Sequence, residues 1–374
     1  MTTPFTQLKQ PLQLDYGLLL STLGLISVGV LLLVSASNRQ ELVAPLTSTP
    51  PGRQGLYALI GLAAMLIIAR IDYRFLGTFA IPLYLGVIFL LAIVPFVGES
   101  INEVRRWINL GLFPLQPSEL AKPIVAVALA KYFAGHRAQM SQMRTPLLSI
   151  GIIVMPVGLV FLQPDLGTTI IFMSIWFGMV IMAGIRFSHL AEFMIAAIIG
   201  VWVFSRFAFR SYMHDRIAVF LDPTQDPLGA GYNILQSEIS VGSGGLLGKG
   251  LFNCTQSQLN FLRIQKTDFI FSVLGEELGF IGAVLVFLLF ALLLIRGLRI
   301  AAQSQDEFGR LLATGIVMMF LVQIFVNIGV NIRLLPVTGI PLPFISFGGS
   351  SLISSLIALG LLQSIYVHRR KADW

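Results

Sequence analysis

Stretches of apolar residues long enough to cross a bilayer recur along this 374-residue chain, and they constrain its fold more than any other feature. A hydrocarbon core about 30 Å thick needs about 20 helical residues to span it. Backbone inside lipid must satisfy its own hydrogen bonds, so stretches of this length read as helices. They lie near 16–36, 56–70, 77–97, 118–134, 147–163, 167–185, 190–209, 269–295, 311–332 and 348–367. The expected fold is all-α: one membrane domain over 1–374, a polytopic integral membrane bundle of about ten transmembrane helices. Hydrophobic residues make up 56% of the chain and charged residues 11%, against about 25% charged in soluble domains. The first run starts at Tyr16 and has no small-residue cleavage site at its end, so it reads as a retained span.

A net charge of +7 would suggest nucleic acid in a soluble protein. Here the cations cluster beside the spans, as topology signals and contacts to anionic lipid do. No ordered basic face with interleaved aromatics accompanies them, which argues against nucleic acid. Ten spans put Arg70, Arg74, Lys131, Arg137, Arg144, Arg186, Arg296, Arg299, Arg310 and the tail residues Arg369, Arg370 and Lys371 on one side, with both termini. The positive-inside rule makes that side cytoplasmic. A multi-pass membrane protein with cytoplasmic termini is the expectation.

The opposite side then holds 37–55, 98–117, 210–268 and 333–347. The 210–268 segment, between the seventh and eighth spans, is the large extracytoplasmic loop. Asp222-Pro223 and Asp226-Pro227 initiate turns there. Residues 232–241 read as a short amphipathic helix at the interface. Long loops with this much turn chemistry are more often functional than idle.

Several chemistries lack their residues. Cys254 is the only cysteine, so no intramolecular disulfide and no cysteine metal cluster can form. No His-Glu-x-x-His or Gly-x-Ser-x-Gly appears, which removes zinc protease and serine hydrolase signatures. Gly248-Lys249 lacks the glycine spacing of a phosphate loop.

Three carboxylate settings stand out. Glu119 and Lys122 are three apart and share one helix face. Ionisable groups at membrane depth are expensive and point to function; a structural ion pair at a helix end is the plainer alternative. Ser118 is placed to cap that helix. Asp165, in Gln163-Pro164-Asp165-Leu166-Gly167-Thr168, could cap the following helix or face a substrate or metal at the bundle mouth. Asp268 stands where the long loop enters the eighth span. A carboxylate there could be only a cap, but apolar neighbours raise proton affinity and suit a general base. Arg53, Arg105, Arg106, Lys249, Arg263 and Lys266 are cations on the same side, and together could hold a diphosphate.

These residues lie in runs that resemble a known family. Arg106-Trp107, Gln116-Pro117-Ser118-Glu119 with Lys122, Gln163 to Thr168, Asp222-Pro223, Asp226 to Tyr232 and Gly242-Ser243-Gly244-Gly245 come first. Thr255-Gln256-Ser257-Gln258-Leu259, Thr267-Asp268-Phe269-Ile270-Phe271, Glu276-Glu277-Leu278-Gly279, Pro341 to Ser346 and Gly348-Gly349-Ser350-Ser351 follow. Over nearly its whole length the chain is similar to the shape, elongation, division and sporulation (SEDS) family of cell-wall glycosyltransferases. The Thr255 to Gln258 run resembles the elongation branch, which maintains rod shape, more than the division branch. Two positions depart: Leu262 is followed by Arg263, Ile264 and Gln265 where the family often has Leu-Pro-Glu, and Phe347 stands where tyrosine is common.

The resemblance implies a ten-span fold and polymerisation of lipid II into peptidoglycan glycan strands. It places the family's essential aspartate on Asp268, its buried acid–base pair on Glu119 and Lys122, and its loop carboxylate on Asp165. Arg53, Arg106, Gln256 and Ser257 join the expected substrate-binding set. A class B penicillin-binding protein, a crosslinking transpeptidase, is the expected partner, with other elongation-complex proteins. A divalent cation, Mg or Mn, could assist the departing diphosphate. Two other classes remain open at this point. A lipid II flippase would use Glu119 and Lys122 as a polar path and need no base. A non-catalytic scaffold for a penicillin-binding protein would tolerate loss of every polar site.

Overall fold

The computed structural model describes residues 13–37, 45, 47–101, 104–109, 111, 114–207, 211–227, 229–253 and 264–369, and no side chain of 100–101, 104, 201, 203–207 or 211–212. Cys254, Gln256, Ser257 and Arg263 lie outside the described residues. Helices run through all ten segments that hydropathy marks. They are α1 (Tyr16–Ser35), α2 (Pro50–Arg70), the short α3 (Tyr73–Thr78), α4 (Ala80–Val97), α5 (Pro117–Gly135), α6 (Arg144–Leu162), α7 (Leu166–Met182) and α8 (Phe187–Phe207). After the loop helices α9 (Ser211–Leu221) and α10 (Ala230–Ser243) come α11 (Ile270–Gln303), α12 (Glu307–Asn331) and α13 (Gly349–His368). Seven of these, α1, α2, α4, α6, α11, α12 and α13, are long and apolar enough to cross a membrane; α7 and Phe187–Gly200 are shorter apolar helices. α5 carries Glu119, Lys122 and Lys131, which is why it is the least apolar of the spans expected from sequence.

The structure departs from the sequence reading in four places. Residues 99–115 fold into a small antiparallel ribbon, β1 (Glu99–Ile101), β2 (Val104–Asn109) and β3 (Pro114–Leu115), in the order β1-β2-β3. The long loop holds a second helix, α9, that hydropathy alone does not mark. Ser118 does not cap α5; Gln116 occupies the cap position and Pro117 begins the helix, where its missing N–H costs nothing. The 232–241 helix is longer than expected, forming part of α10, and docks on α11 with Ser237 and Ser240 buried.

α12 is the central post, buried on nearly every side and packed on α5, α7, α11 and α13. At one end the helices are tied by charges. Asp15 caps α1 by accepting from the Leu18 amide at 2.8 Å, and the Arg296 guanidinium of α11 forks the same carboxylate. Gln363 of α13 exchanges two hydrogen bonds with the Asp15 backbone, at 2.8 and 3.0 Å. Arg137 and Arg310 both pair with Glu307 at this end.

At the opposite end α11 is broken. Gly279 has φ +62° and ψ −159°, backbone that L side chains rarely adopt. Helix breaks at membrane depth survive only where neighbouring protein takes up the freed backbone groups. The turn after α10 does this. The amides of Lys249 and Gly250 donate to the carbonyls of Glu276 and Glu277 at 2.9 and 3.1 Å. The amides of Phe280 and Ile281 donate to the carbonyls of Gly245 and Leu246 at 2.9 and 3.1 Å. The backbones meet so closely that a Cβ on Gly279 would collide with the Gly248 amide.

Gly279→Ala should therefore destabilise the fold by about 1–3 kcal/mol or more, read as a lower thermal-unfolding midpoint in detergent. Gly158→Ala, at a helical position facing open space, should leave the midpoint unchanged or raise it. Equal midpoints for the two variants would contradict this account of the break.

Candidate active site

Five helix N-termini converge at the Asp268 end. Residues 333–347 link them. Ser346 Oγ donates to the Thr267 carbonyl at 2.6 Å, and the Phe347 amide donates to the Lys266 carbonyl at 2.8 Å. Gln54, fully buried in the first turns of α2, donates to the Ser346 carbonyl at 3.0 Å and accepts from the Gly348 amide at 3.3 Å. The Gln116 amide donates to Ser350 Oγ at 2.9 Å, joining the start of α5 to α13. Gln116 Nε2 reaches Asp165 Oδ2 at 3.5 Å. The starts of α2, α5, α7, α11 and α13 thus turn their positive dipole ends toward one mouth.

Asp165 and Asp268 occupy similar positions in sequence but differ in structure. Asp165 caps α7: its Oδ1 accepts from the Thr168 amide at 3.1 Å and its Oδ2 from the Thr168 hydroxyl at 2.9 Å. Asp268 caps nothing. Phe269 holds the cap position of α11 and no side chain of the preceding turn bonds to the helix start. Its carboxylate sits half-buried, where a Cβ on Gly339 would stand 3.9 Å from Oδ2. Gly339 itself has φ +76°, so this approach is one only glycine makes without strain. Asp268 lies in the turn before the span. Burial pushes its carboxyl above the usual aspartate range; a hydrogen bond from Thr267 and the positive charges of Arg216 and Arg106 oppose that rise, and the negative charge of Asp165 adds to it.

Arg106 extends from β2 across the mouth. Its Nε donates to the Gln163 carbonyl at 2.8 Å and Nη2 to the Pro164 carbonyl, at the end of α6, where a cation is favoured. Arg216, on α9, donates to the Val337 carbonyl at 2.9 Å, two residues from Gly339. These two arginines are the ones whose charge bears on Asp268.

Glu119 and Lys122 form an ion pair of 2.7 Å, both side chains almost wholly buried. Ser354 of α13 donates to the Glu119 carbonyl at 2.6 Å and fixes this turn of α5. The pair stands within two turns of Gln116, inside the wall of the mouth. The other expected cations are spread out. Arg53 donates to the Thr47 carbonyl at 3.2 Å. Arg105 reaches the Pro95 carbonyl at 3.4 Å. Lys249 pairs with the fully buried Glu276 at 2.8 Å, while Glu277 accepts from Ser35 at 2.5 Å on another side of the helix. The structure thus brings Asp268, Asp165 and Arg106 together, sets Glu119 and Lys122 just behind them, and leaves Arg53 on the rim.

Sequence reasoning missed Arg216, Gln54, Asn327 and Asn331. Arg216 gave no signal beyond its charge. The two asparagines did: amides four apart in an apolar span are costly enough to call for a partner. Among the described residues, no three of His, Cys, Asp and Glu gather to cage a metal ion.

Comparison with known proteins identifies the family. Residues 16–371 match the family model described as "Cell cycle protein" of the FtsW, RodA and SpoVE group. The chain is 40% identical to the peptidoglycan glycosyltransferase MrdB of Escherichia coli (strain K12), over 96% of this chain and 94% of that one. It is 38% identical to the stage V sporulation protein E of Bacillus subtilis (strain 168), over 95% and 98%. Among solved structures, a chain from a peptidoglycan synthase complex that coordinates polymerization and crosslinking superposes with a TM-score of 0.80 at 32% identity, covering 96% of this chain and 100% of that one. The crystal structure of the Thermus thermophilus rod shape determining protein RodA gives 0.70 at 31% identity, covering 96% and 99%. The chain belongs to the FtsW/RodA/SpoVE family of multi-pass membrane proteins.

Proposed function

We propose that this chain is a peptidoglycan glycosyltransferase that polymerises lipid II during cell elongation, with Asp268 as its general base. The observation that carries the assignment of the base is the release of Asp268 from capping. Its carboxylate is half-buried, raised in proton affinity and faced by two arginines, whereas Asp165 is spent on the start of α7.

The reaction transfers a sugar from one polyprenyl diphosphate to another chain end. The 4-hydroxyl of the acceptor glucosamine attacks C1 of the donor muramic acid, and Asp268 takes the hydroxyl proton. The C1–oxygen bond to the diphosphate breaks, and undecaprenyl diphosphate leaves with the bonding pair. One displacement inverts the α-linked donor to a β-1,4 bond. A single base suffices, which matches one prominent uncapped carboxylate. The leaving diphosphate gains negative charge, and the converging helix N-termini with Arg106 and Arg216 meet it. A divalent cation, Mg or Mn, would add Lewis-acid stabilisation of that charge. Glu119 and Lys122 orient the wall against which the sugar lies. The bilayer holds both lipid-linked reactants in one plane and spares the reaction a free bimolecular encounter.

This assignment places the Asp268 end outside the cytoplasmic membrane, where lipid-linked sugars are joined, and both termini in the cytoplasm. A class B penicillin-binding protein supplies the crosslinking step in the same complex, alongside other elongation proteins. Gln256 and Ser257 are part of the proposed substrate-binding set. A flippase or a scaffold has no use for a carboxylate withheld from its helix cap.

Polymerisation of lipid II by the purified full chain with its penicillin-binding partner tests the base. Asp268→Asn should lower the rate about 100-fold or more, and polymerisation at the wild-type rate would sink the assignment. The pH profile gives a second check. The base works deprotonated, so kcat/KM should fall as pH drops through the raised pKa. Its acid limb should lie above the value of about 3.9 for a free aspartate; a limb at or below that value would contradict the burial of the group. For the ion pair, Lys122→Ala strands a buried carboxylate and should cost about 3–5 kcal/mol of stability. The uncharged replacement Glu119→Gln with Lys122→Met should restore the thermal midpoint while polymerisation stays low. Recovery of both would make the pair structural only.

A further inference from the structure

We propose that Asn331 is a positioning residue for Asp268, and that Ser272 and Ser237 extend its hold to helix α10 of the long loop. The inference rests on the reading of Asp268 as the base. It starts from the backbone of that residue. The Asp268 carbonyl accepts two amide hydrogen bonds from α12, from Asn331 Nδ2 at 2.8 Å and Asn327 Nδ2 at 3.1 Å. Asn327 also donates to the Ile340 carbonyl at 2.8 Å, so one pair of side chains locks the turn bearing Asp268 to the strand of loop that carries Gly339.

The other end of the Asn331 amide does the capping. Its Oδ1 accepts from the Ser272 amide at 3.0 Å and from the Ser272 hydroxyl at 2.6 Å. Ser272 N–H lies in the first turn, where the regular helical partner is missing; it donates to the Phe269 carbonyl at 3.1 Å, and Asn331 supplies a second acceptor. A capping side chain normally comes from the residue before the helix. Here it comes from another helix. That substitution explains why Asp268 can sit at a helix start with its carboxylate turned elsewhere.

The link then passes to the loop. Ser237 Oγ of α10 lies 2.5 Å from Ser272 Oγ and donates to the Asn331 carbonyl at 2.8 Å. Ser237, Ser272, Asn327 and Asn331 are all buried. Inside such a low-dielectric cluster each bond is strong and each broken bond is costly. The network therefore ties the docked position of α10 to the backbone position of Asp268. Asn331 holds the backbone; the carboxylate is surrounded by Arg216, Arg106, Asp165 and Thr267. A shift of the turn would move that carboxylate relative to all four.

Two variants of Asn331 in the full chain with its partner test this, assayed on lipid II. Asn331→Asp keeps the acceptor toward Ser272 and loses the donor toward Asp268; Asn331→Ala loses both. Each should lower kcat by roughly 10- to 100-fold, the size expected when a reacting group is misplaced by about an ångström, with the KM for lipid II little changed. Each should also move the acid limb of the pH profile. Ser237→Ala, which cuts only the outermost link, should show a smaller change of the same kind. A purely structural Asn331 would lower the thermal midpoint and leave kcat per folded molecule and the acid limb as in wild type, which would overturn the proposal. If Asn331→Ala does not fold, Asn331→Asp and Ser237→Ala decide between these outcomes. Asp268→Asn, run alongside, separates the two readings. Full activity there removes the base and this inference together, whereas an inactive Asp268→Asn beside fully active Asn331 variants removes this inference alone.

Discussion

Every polar backbone group at bilayer depth must find a partner within the protein, and the Asp268 end of this bundle is organised by that requirement. An unbroken helix meets it by itself. α11 does not, because Gly279 interrupts it and leaves the carbonyls of Glu276 and Glu277 to be satisfied from outside. The turn 242–250 enters to satisfy them, and its glycines let backbone approach backbone. The loop 333–347 does the same for the turn ahead of α11, through Ser346 and the Phe347 amide. Irregular chain is thereby drawn into the bundle where a regular helix would have excluded it. That intrusion makes a lined mouth at the end of an otherwise plain set of spans.

The same requirement sorts the carboxylates. A helix start has donors to satisfy, and an aspartate beside it is the ordinary way to do so. α7 uses Asp165, and both oxygens of that carboxylate go to Thr168. α11 uses Asn331 from a neighbouring helix. The cost of the second solution is a polar side chain buried in the middle of the bundle, and the return is a carboxylate at the mouth with no structural duty. Neutral amides suit that place better than another acid. Asn331 can both donate to a carbonyl and accept from a helix start, and it adds no negative charge beside a group that must lose and regain a proton.

The spans, and so the fold, were legible because hydrocarbon thickness imposes a length on apolar runs and the chain has few charges to blur their ends. The expected segments and the helices coincide closely, as at 16–36 against Tyr16–Ser35 and at 348–367 against Gly349–His368. The ribbon at 99–115 and α9 were not legible from hydropathy, because neither is a long apolar run; α9 is short and amphipathic and packs on other parts of the loop. For the site, the motif runs led to Asp268, Asp165, Glu119 and Lys122, all of which stand at or just behind the mouth. Whether a carboxylate was a cap could not be read, because the cap of α11 comes from a residue 59 positions away from Ser272. Arg216 was hidden for the same reason: its relation to Asp268 exists only through the Val337 to Gly339 segment.

The spans therefore do more than hold a loop at a surface. A soluble glycosyltransferase would have to draw a polyprenyl chain out of the membrane before it could act on the attached sugar, and would lose the transfer free energy of every methylene exposed to water, about 0.8 kcal/mol each. A bundle whose helix starts open at the interface leaves the lipid where it is and brings only the diphosphate and sugar to the catalytic group. On the proposed function, the positive ends of α2, α5, α7, α11 and α13 face the diphosphate of the substrate, and the apolar flanks of the same helices face its hydrocarbon chain. An active site for a lipid-linked sugar and a membrane-spanning bundle are, on that reading, the same piece of structure.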